Sequence, residues 1–205
     1  MPLLFCKPIG ASQLGVWQKS ETVAELLAML SLCDFEKDEY NLIANDRRRT
    51  EWLATRLLLN RMLGVHSMIH HNESGKPYLQ ENKSFISISH SPNMVAVMVS
   101  DANVGIDIEQ IRPRVTKVRS KFLTGNELDW CVTDEQHTLV WTVKEAAYKL
   151  VDDTLLHDEV EVDESQMLTD DLTFDIDIRR NGYGKMICHS MRIGDNILSY
   201  LAKNC

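Results

Sequence analysis

The sequence has little that could act as covalent or membrane scaffolding. Its cysteines number 5, an odd count, and none stand in Cys-x-x-Cys spacing, which argues against a disulfide framework or a zinc site and predicts reduced thiols. Long hydrophobic runs are missing: the longest, Met94 to Val99, is strand-sized, and the apolar part of MPLLFCKPIG is too short for a signal peptide or a membrane span. There is no internal repeat, linker or low-complexity tract. Positive charge is in deficit, with 22 Lys and Arg against 30 Asp and Glu, so general nucleic-acid binding is disfavoured. What remains is a 205-residue chain, 44% hydrophobic and 25% charged, long enough to bury a core unaided. A cytoplasmic globular protein is expected.

The charge is unevenly spread. Arg47, Arg48, Arg49, Arg56 and Arg61 crowd one segment, Arg112, Arg114, Lys117, Arg119 and Lys121 crowd another, and acidic residues dominate from Asp152 to Asp177. Local basic patches on an acidic protein suit a small anionic ligand or one acidic partner.

Val23, Leu26, Leu27 and Leu30 fall at i, i+3, i+4 and i+7 and predict a short amphipathic helix. A second helix is expected from about Lys37 to Leu63, with Gly64 as its stop. Strands are expected near Val65–His70, Ser84–His90, Asn93–Ser100 and Val104–Glu109. Thr124 with Glu127, and Thr133 with Gln136, have the capping-box pattern, the latter opening a helix that runs to about Leu150. Leu172–Ile178, Lys185–Met191 and Ile197–Lys203 read as strands, with turns at Asn181-Gly182 and Gly194-Asp195-Asn196. The fold class is α+β.

Chemistry could reside in three places. In GIDIE, Gly105 to Glu109, a strand would put Ile106 and Ile108 on one face and Asp107 and Glu109 on the other. Two adjacent anions need a cation to offset their repulsion, although a solvated acidic strand face has the same pattern. In WTVKEAAYK, Trp141, Glu145 and Lys149 stack at i, i+4 and i+8, opposite the stripe of Leu139 and Val143. An ordinary Glu–Lys surface pair, worth about 0.2–0.5 kcal/mol, fits that spacing equally. Third, GKPY (Gly75 to Tyr78) and SISHS (Ser87 to Ser91) place Lys76, Ser89 and His90 at neighbouring strand ends, where they could bind phosphate oxygens.

Taken in order, GKPY, SISHS, GIDIE, FLTGNE and WTVKEAAYK resemble the motif series of the Sfp-type 4′-phosphopantetheinyl transferases, over about half of the chain. The resemblance implies two similar α+β halves packed as a pseudo-dimer. The halves would be residues 1–102, contacting coenzyme A phosphates, and residues 103–205, holding metal and docking the carrier. It implies Mg²⁺ bound by Asp107, Glu109 and Glu145 together with the pyrophosphate of coenzyme A, and transfer of the phosphopantetheine arm to a serine of an acyl or peptidyl carrier protein. Glu145 would be the base and Lys149 would hold a pyrophosphate oxygen or the leaving group. Arg47, Arg48, Arg56, Lys76, Ser89 and His90 would contact coenzyme A, with Arg56 the best placed of the arginines. Arg112, Arg114, Lys117 and Lys121 would face an acidic carrier helix, a solvated basic face being the plainer meaning of the same run. Glu127 matches a glutamate of the family, where a cap and a place in the active site are equal readings. A monomer is implied, with no membrane and no nucleic-acid partner.

Two departures stand out. Leu150-Val151-Asp152-Asp153-Thr154 replaces the family's glycine-rich loop, and the stretch before Arg47 lacks lysines that relatives often carry. The competing reading is a non-catalytic relative that binds coenzyme A or carrier protein; a Mg²⁺-dependent nuclease is a third, opposed by the net charge.

Overall fold

A computed structural model describes residues 2–79, 84–151, 155–162, 171–180 and 182–203, with side chains at 114, 171, 172 and 174 left aside. The chain forms two compact units, Met1–Asp101 and Ala102–Cys205. Both mix sheet and helix, so the fold class is α+β, as expected.

In the first unit β1 (Leu3–Ile9), β2 (Ser12–Gln18), β3 (Ile69–His71), β4 (Pro77–Leu79), β5 (Phe85–His90) and β6 (Met94–Ser100) pair antiparallel in the order β1-β2-β6-β5-β4-β3. Helices α1 (Val23–Ala28), α2 (Asp34–Asn41) and α3 (Asp46–Leu63) accompany it. The expected helix from Lys37 to Leu63 is thus two helices. Asn45 interrupts it, with extended backbone and a side chain that accepts from the Arg48 amide at 2.9 Å, capping α3. At the other end Gly64, at φ 70°, supplies the expected stop. Leu53, Leu57, Leu58 and Met62 of α3 pack with Trp17, Ile86, Val95, Val97 and Val99. Gly15 of β2 gives α3 room, since a Cβ there would lie 2.6 Å from the Met62 sulfur.

The second unit has β7 (Val104–Gln110), β8 (Val160–Val162), β9 (Asp171–Ile178), β10 (Gly184–Ile193) and β11 (Asn196–Ala202), antiparallel in the order β7-β11-β10-β9-β8. Between β7 and β8 come α4 (Pro113–Lys117), a 3₁₀ turn at Arg119–Lys121, α5 (Glu127–Trp130), α6 (Asp134–Leu150) and a 3₁₀ turn at His157–Glu159. The α6 cap is the expected box: Thr133 Oγ1 accepts from the Gln136 amide at 3.2 Å, and Gln136 Oε1 from the Thr133 amide at 3.0 Å. Its stripe of Leu139, Val143, Ala147 and Leu150 joins Ile197, Leu201 and Cys188 in the core. Residue 181 of the expected Asn-Gly turn lies outside the described residues. Among the described residues no helix is long and apolar enough to cross a membrane.

Candidate functional site

Gly105 sets the geometry of the second unit's site. A Cβ there would lie 1.9 Å from the Ala146 carbonyl oxygen, so α6 presses its backbone onto β7. Strand alternation then puts Asp107 and Glu109 on the helix-facing side with Gly105, and the fully buried Ile106 and Ile108 on the other. The carboxylates meet the Trp141–Glu145–Lys149 face of α6. Lys149 Nζ donates to Asp107 Oδ1 at 2.7 Å and to the Ile106 carbonyl at 3.0 Å. Glu109 accepts from Trp141; burial, and next the Asp107 charge, raise its proton affinity against the opposing charges of Arg112 and Lys149. Beside them runs a buried hydroxyl chain, Thr142 to Ser199 to Ser190, with 2.7 Å steps.

Glu145 stands between these contacts on the helix face but makes its own, with His157 Nε2 at 3.2 Å from Oε1. Among the described residues no three His, Cys, Asp or Glu side chains gather as a preformed metal cage. What the strand offers is a hard-oxygen pair with raised proton affinity at Glu109, a donor set that suits Mg²⁺, which favours one or two carboxylates completed by substrate phosphates and water. Softer ligands lie apart: burial pushes the thiols of Cys131 and Cys188 up to about 12.

Lys144, next to Glu145, turns into the interior. It is fully buried and donates to Glu127 Oε2 at 2.6 Å, the Phe122 carbonyl at 2.8 Å and the His157 carbonyl at 3.0 Å. Glu127 also accepts from Thr124 N at 2.9 Å and from Val162 N at 3.1 Å. Glu127 thus binds back to Thr124 as the expected cap does, and its other bonds anchor the interior, with no exposed surface.

Beyond β7, Arg112 precedes α4, and Lys117, Arg119 and Lys121 are exposed. Thr116 fastens this basic stretch to the start of α6, bonding to Asp134 and, at 3.0 Å, to His137 Nδ1. The Arg114 side chain and residues 152–154, within the stretch that replaces the family's glycine-rich loop, lie outside the described residues.

In the first unit the expected ligand contacts divide. Glu51 on α3, nearly inaccessible, gathers Arg47 at 3.0 Å, Lys19 at 3.6 Å, Arg48 at 3.7 Å and His90 at 3.7 Å. Burial pushes its carboxyl up, but the Arg47 hydrogen bond and the charges of His90 and Lys19 outweigh that and hold it below the ordinary range. Lys19, which no motif singled out, also donates to the Ser91 carbonyl at 2.7 Å and so ties the end of SISHS to α3. A cleft beside this cluster is lined by Arg48, Glu51, Arg56, His71, Ile88 and His90. Ser89 alternates to the sheet face away from His90 and is buried. Lys76 sits in the β3–β4 turn, its amide bonded to Asn72 Oδ1 at 2.8 Å. Arg56 is committed internally: it lies 3.4 Å over the Trp52 ring, binds Glu39 at 2.7 Å and faces Glu36 at 3.3 Å. Burial lowers its proton affinity to about 10, against the pull of both glutamates.

Residues 103–190 match the family model described as the 4′-phosphopantetheinyl transferase superfamily. The 4′-phosphopantetheinyl transferase AcpT of Escherichia coli (strain K12) is 38% identical over 50% of this chain and 57% of its own length. The 4′-phosphopantetheinyl transferase gsp of Aneurinibacillus migulanus is 36% identical over 39% of this chain and 36% of its own. The psf-1 transferase of Bacillus pumilus is 34% identical over 38% of this chain and 36% of its own. The chain therefore spans little more than half of the AcpT relative and about a third of the other two. Through residues 103–190, the stretch bearing GIDIE, FLTGNE and WTVKEAAYK, the chain is similar to the 4′-phosphopantetheinyl transferase superfamily.

Proposed function

We propose that this protein transfers the 4′-phosphopantetheine arm of coenzyme A to a serine hydroxyl of an apo acyl or peptidyl carrier protein, releasing 3′,5′-ADP. The observation that carries the reading is the Asp107–Glu109 pair facing α6 with Lys149 at 2.7 Å. Asp107 and Glu109 stand against Lys149 and Arg112, and with Glu145 as the third carboxylate a negative excess is left for a divalent cation to offset.

Asp107, Glu109 and Glu145 would hold Mg²⁺, which when bound screens the pyrophosphate and stabilises the leaving phosphate. The chain's own groups do the rest. Lys149, tethered to Asp107, lies where an ammonium can share its protons with a pyrophosphate oxygen as charge develops there. Glu145 is the base for the carrier serine, whose hydroxyl is the nucleophile, so the protein needs none of its own. Arg47, Arg48 and His90, gathered over Glu51, offer donors to coenzyme A phosphates, with Lys76 and Ser89 as further family-matched contacts. Arg56 acts one step removed, as the cation that holds α2 against α3. Arg112, Arg114, Lys117 and Lys121 would steer an acidic carrier helix.

The test is direct. The protein is mixed with coenzyme A, Mg²⁺ and several apo-carrier proteins, and each carrier is weighed by mass spectrometry. One phosphopantetheine added per carrier is expected, with none when Mg²⁺ is chelated. Coenzyme A binding without any modified carrier would overturn the transferase reading in favour of a binding protein.

A further inference from the structure

Glu145 is held by a residue that lies outside every motif quoted above. His157 Nε2 stands 3.2 Å from Glu145 Oε1, and an ionised carboxylate can only accept, so Nε2 carries the proton. The imidazole is fixed from two sides. The His157 backbone carbonyl accepts from Lys144 at 3.0 Å, and Lys144 is itself locked to Glu127 and the Phe122 carbonyl. Its ring packs on Trp141 at 5.2 Å, Trp141 sits edge-on to Phe122 at 5.1 Å, and Trp141 donates to Glu109.

Glu145 needs such a partner. One turn before it, Trp141 bonds Glu109; one turn after it, Lys149 bonds Asp107. On α6 Glu145 stands between the residues that bond those two carboxylates, and a side chain there with free torsions swings towards solvent unless a fixed donor holds it. His157 is that donor.

We propose that His157 is the positioning residue for Glu145: its Nε2–H holds one carboxylate oxygen so that the other is presented towards the Asp107–Glu109 side of the site. The proposal rests on the transferase reading, in which Glu145 completes the metal-binding set. It also gives Lys144 a part, since the buried Lys144–Glu127 pair fixes the His157 backbone from which the imidazole projects. Outer partners of metal-binding carboxylates typically matter about 10–100-fold for affinity or activity.

Two substitutions separate the N–H from the ring. His157→Phe keeps a ring against Trp141 and removes the donor; His157→Gln removes the ring and keeps an N–H donor at similar reach. Mn²⁺ binding to each full-length protein is followed by electron paramagnetic resonance, alongside the Mg²⁺ concentration for half-maximal transfer and the thermal midpoint. The Phe variant is expected to bind Mn²⁺ about 10-fold more weakly or worse and to need correspondingly more Mg²⁺, at an unchanged midpoint, while Gln stays within about 3-fold of wild type. Should the Phe variant fail to fold, His157→Leu takes its place. Wild-type Mn²⁺ affinity in the Phe variant would overturn the proposal. Tighter binding would do so by showing that His157 competes with metal, and an equal loss in Gln would assign the effect to ring packing. A wild-type protein that modifies no carrier but shows this Mn²⁺ pattern would sink the transferase reading alone; one that binds no Mn²⁺ would sink both.

Discussion

In the first unit one buried carboxylate, Glu51, is surrounded by Lys19, Arg47, Arg48 and His90; in the second, the Asp107, Glu109 and Glu145 carboxylates stand against Lys149 and Arg112. Each unit lays a long helix across an antiparallel sheet and gathers charge along that contact, with opposite excess. The first arrangement leaves donors in surplus and suits anionic oxygens; the second leaves carboxylates in surplus and suits a cation. A parallel exists in the interiors. Arg56 with Glu36 and Glu39, and Lys144 with Glu127, are ion pairs buried against each helix. Substitutions can tell charge at the helix surface from charge beneath it.

The largest effect is expected beneath α6. Lys144→Met leaves Glu127 buried without its cation and should cost about 3–5 kcal/mol in urea unfolding, most of it recovered when Glu127→Leu is added. Next comes the surface above. Asp107→Asn or Glu145→Ala should lower transfer about 10²–10³-fold with the thermal midpoint retained, and wild-type turnover in either would remove the metal assignment. Third, the first unit should divide in the same manner. Arg56→Met is expected to lose about 2–3 kcal/mol of stability while the KM for coenzyme A of the folded fraction stays put. Arg48→Ala should show the reverse, a KM raised several-fold at unchanged stability; a KM effect confined to Arg56 would break the comparison. The smallest change belongs to Lys117→Glu with Lys121→Glu, which should slow carrier modification a few-fold at low salt and hardly at all at high salt.

Much of the second unit was legible in the sequence. The Thr133–Gln136 box and the Leu139–Leu150 stripe gave α6 its limits, and the alternation in GIDIE placed Asp107 and Glu109 on one face. The first unit was less so. Strand β2 escaped because Leu14, Gly15, Val16 and Trp17 are all buried, which erases the two-residue period. The break between α2 and α3 escaped because Leu42, an apolar residue that continues the helical rhythm, is 85% exposed where helix periodicity would bury it. Lys19 and His157 had no signal at all. Each reaches its carboxylate through tertiary placement, Lys19 by way of the Ser91 carbonyl and His157 by way of Lys144. For a related reason the sequence shows the charge of Arg56 but not the Glu36, Glu39 and Trp52 packed against it.

At Gly15 and Gly105 a helix closes on a strand with no room for a Cβ, and the two differ in what they would strike. An alanine at 15 would displace the flexible end of Met62, but one at 105 would meet the Ala146 backbone, which cannot turn aside. Gly105 therefore works as a spacer one methyl group thin: its emptiness sets the distance from the strand bearing Asp107 and Glu109 to the helix bearing Glu145 and Lys149. In a survey of every substitution along the chain, position 105 should lose activity as the acidic residues do, while position 15 tolerates alanine. A residue with no side chain to offer a ligand would then rank among the chemical ones, because here the reactive distance is kept by an atom that is not there.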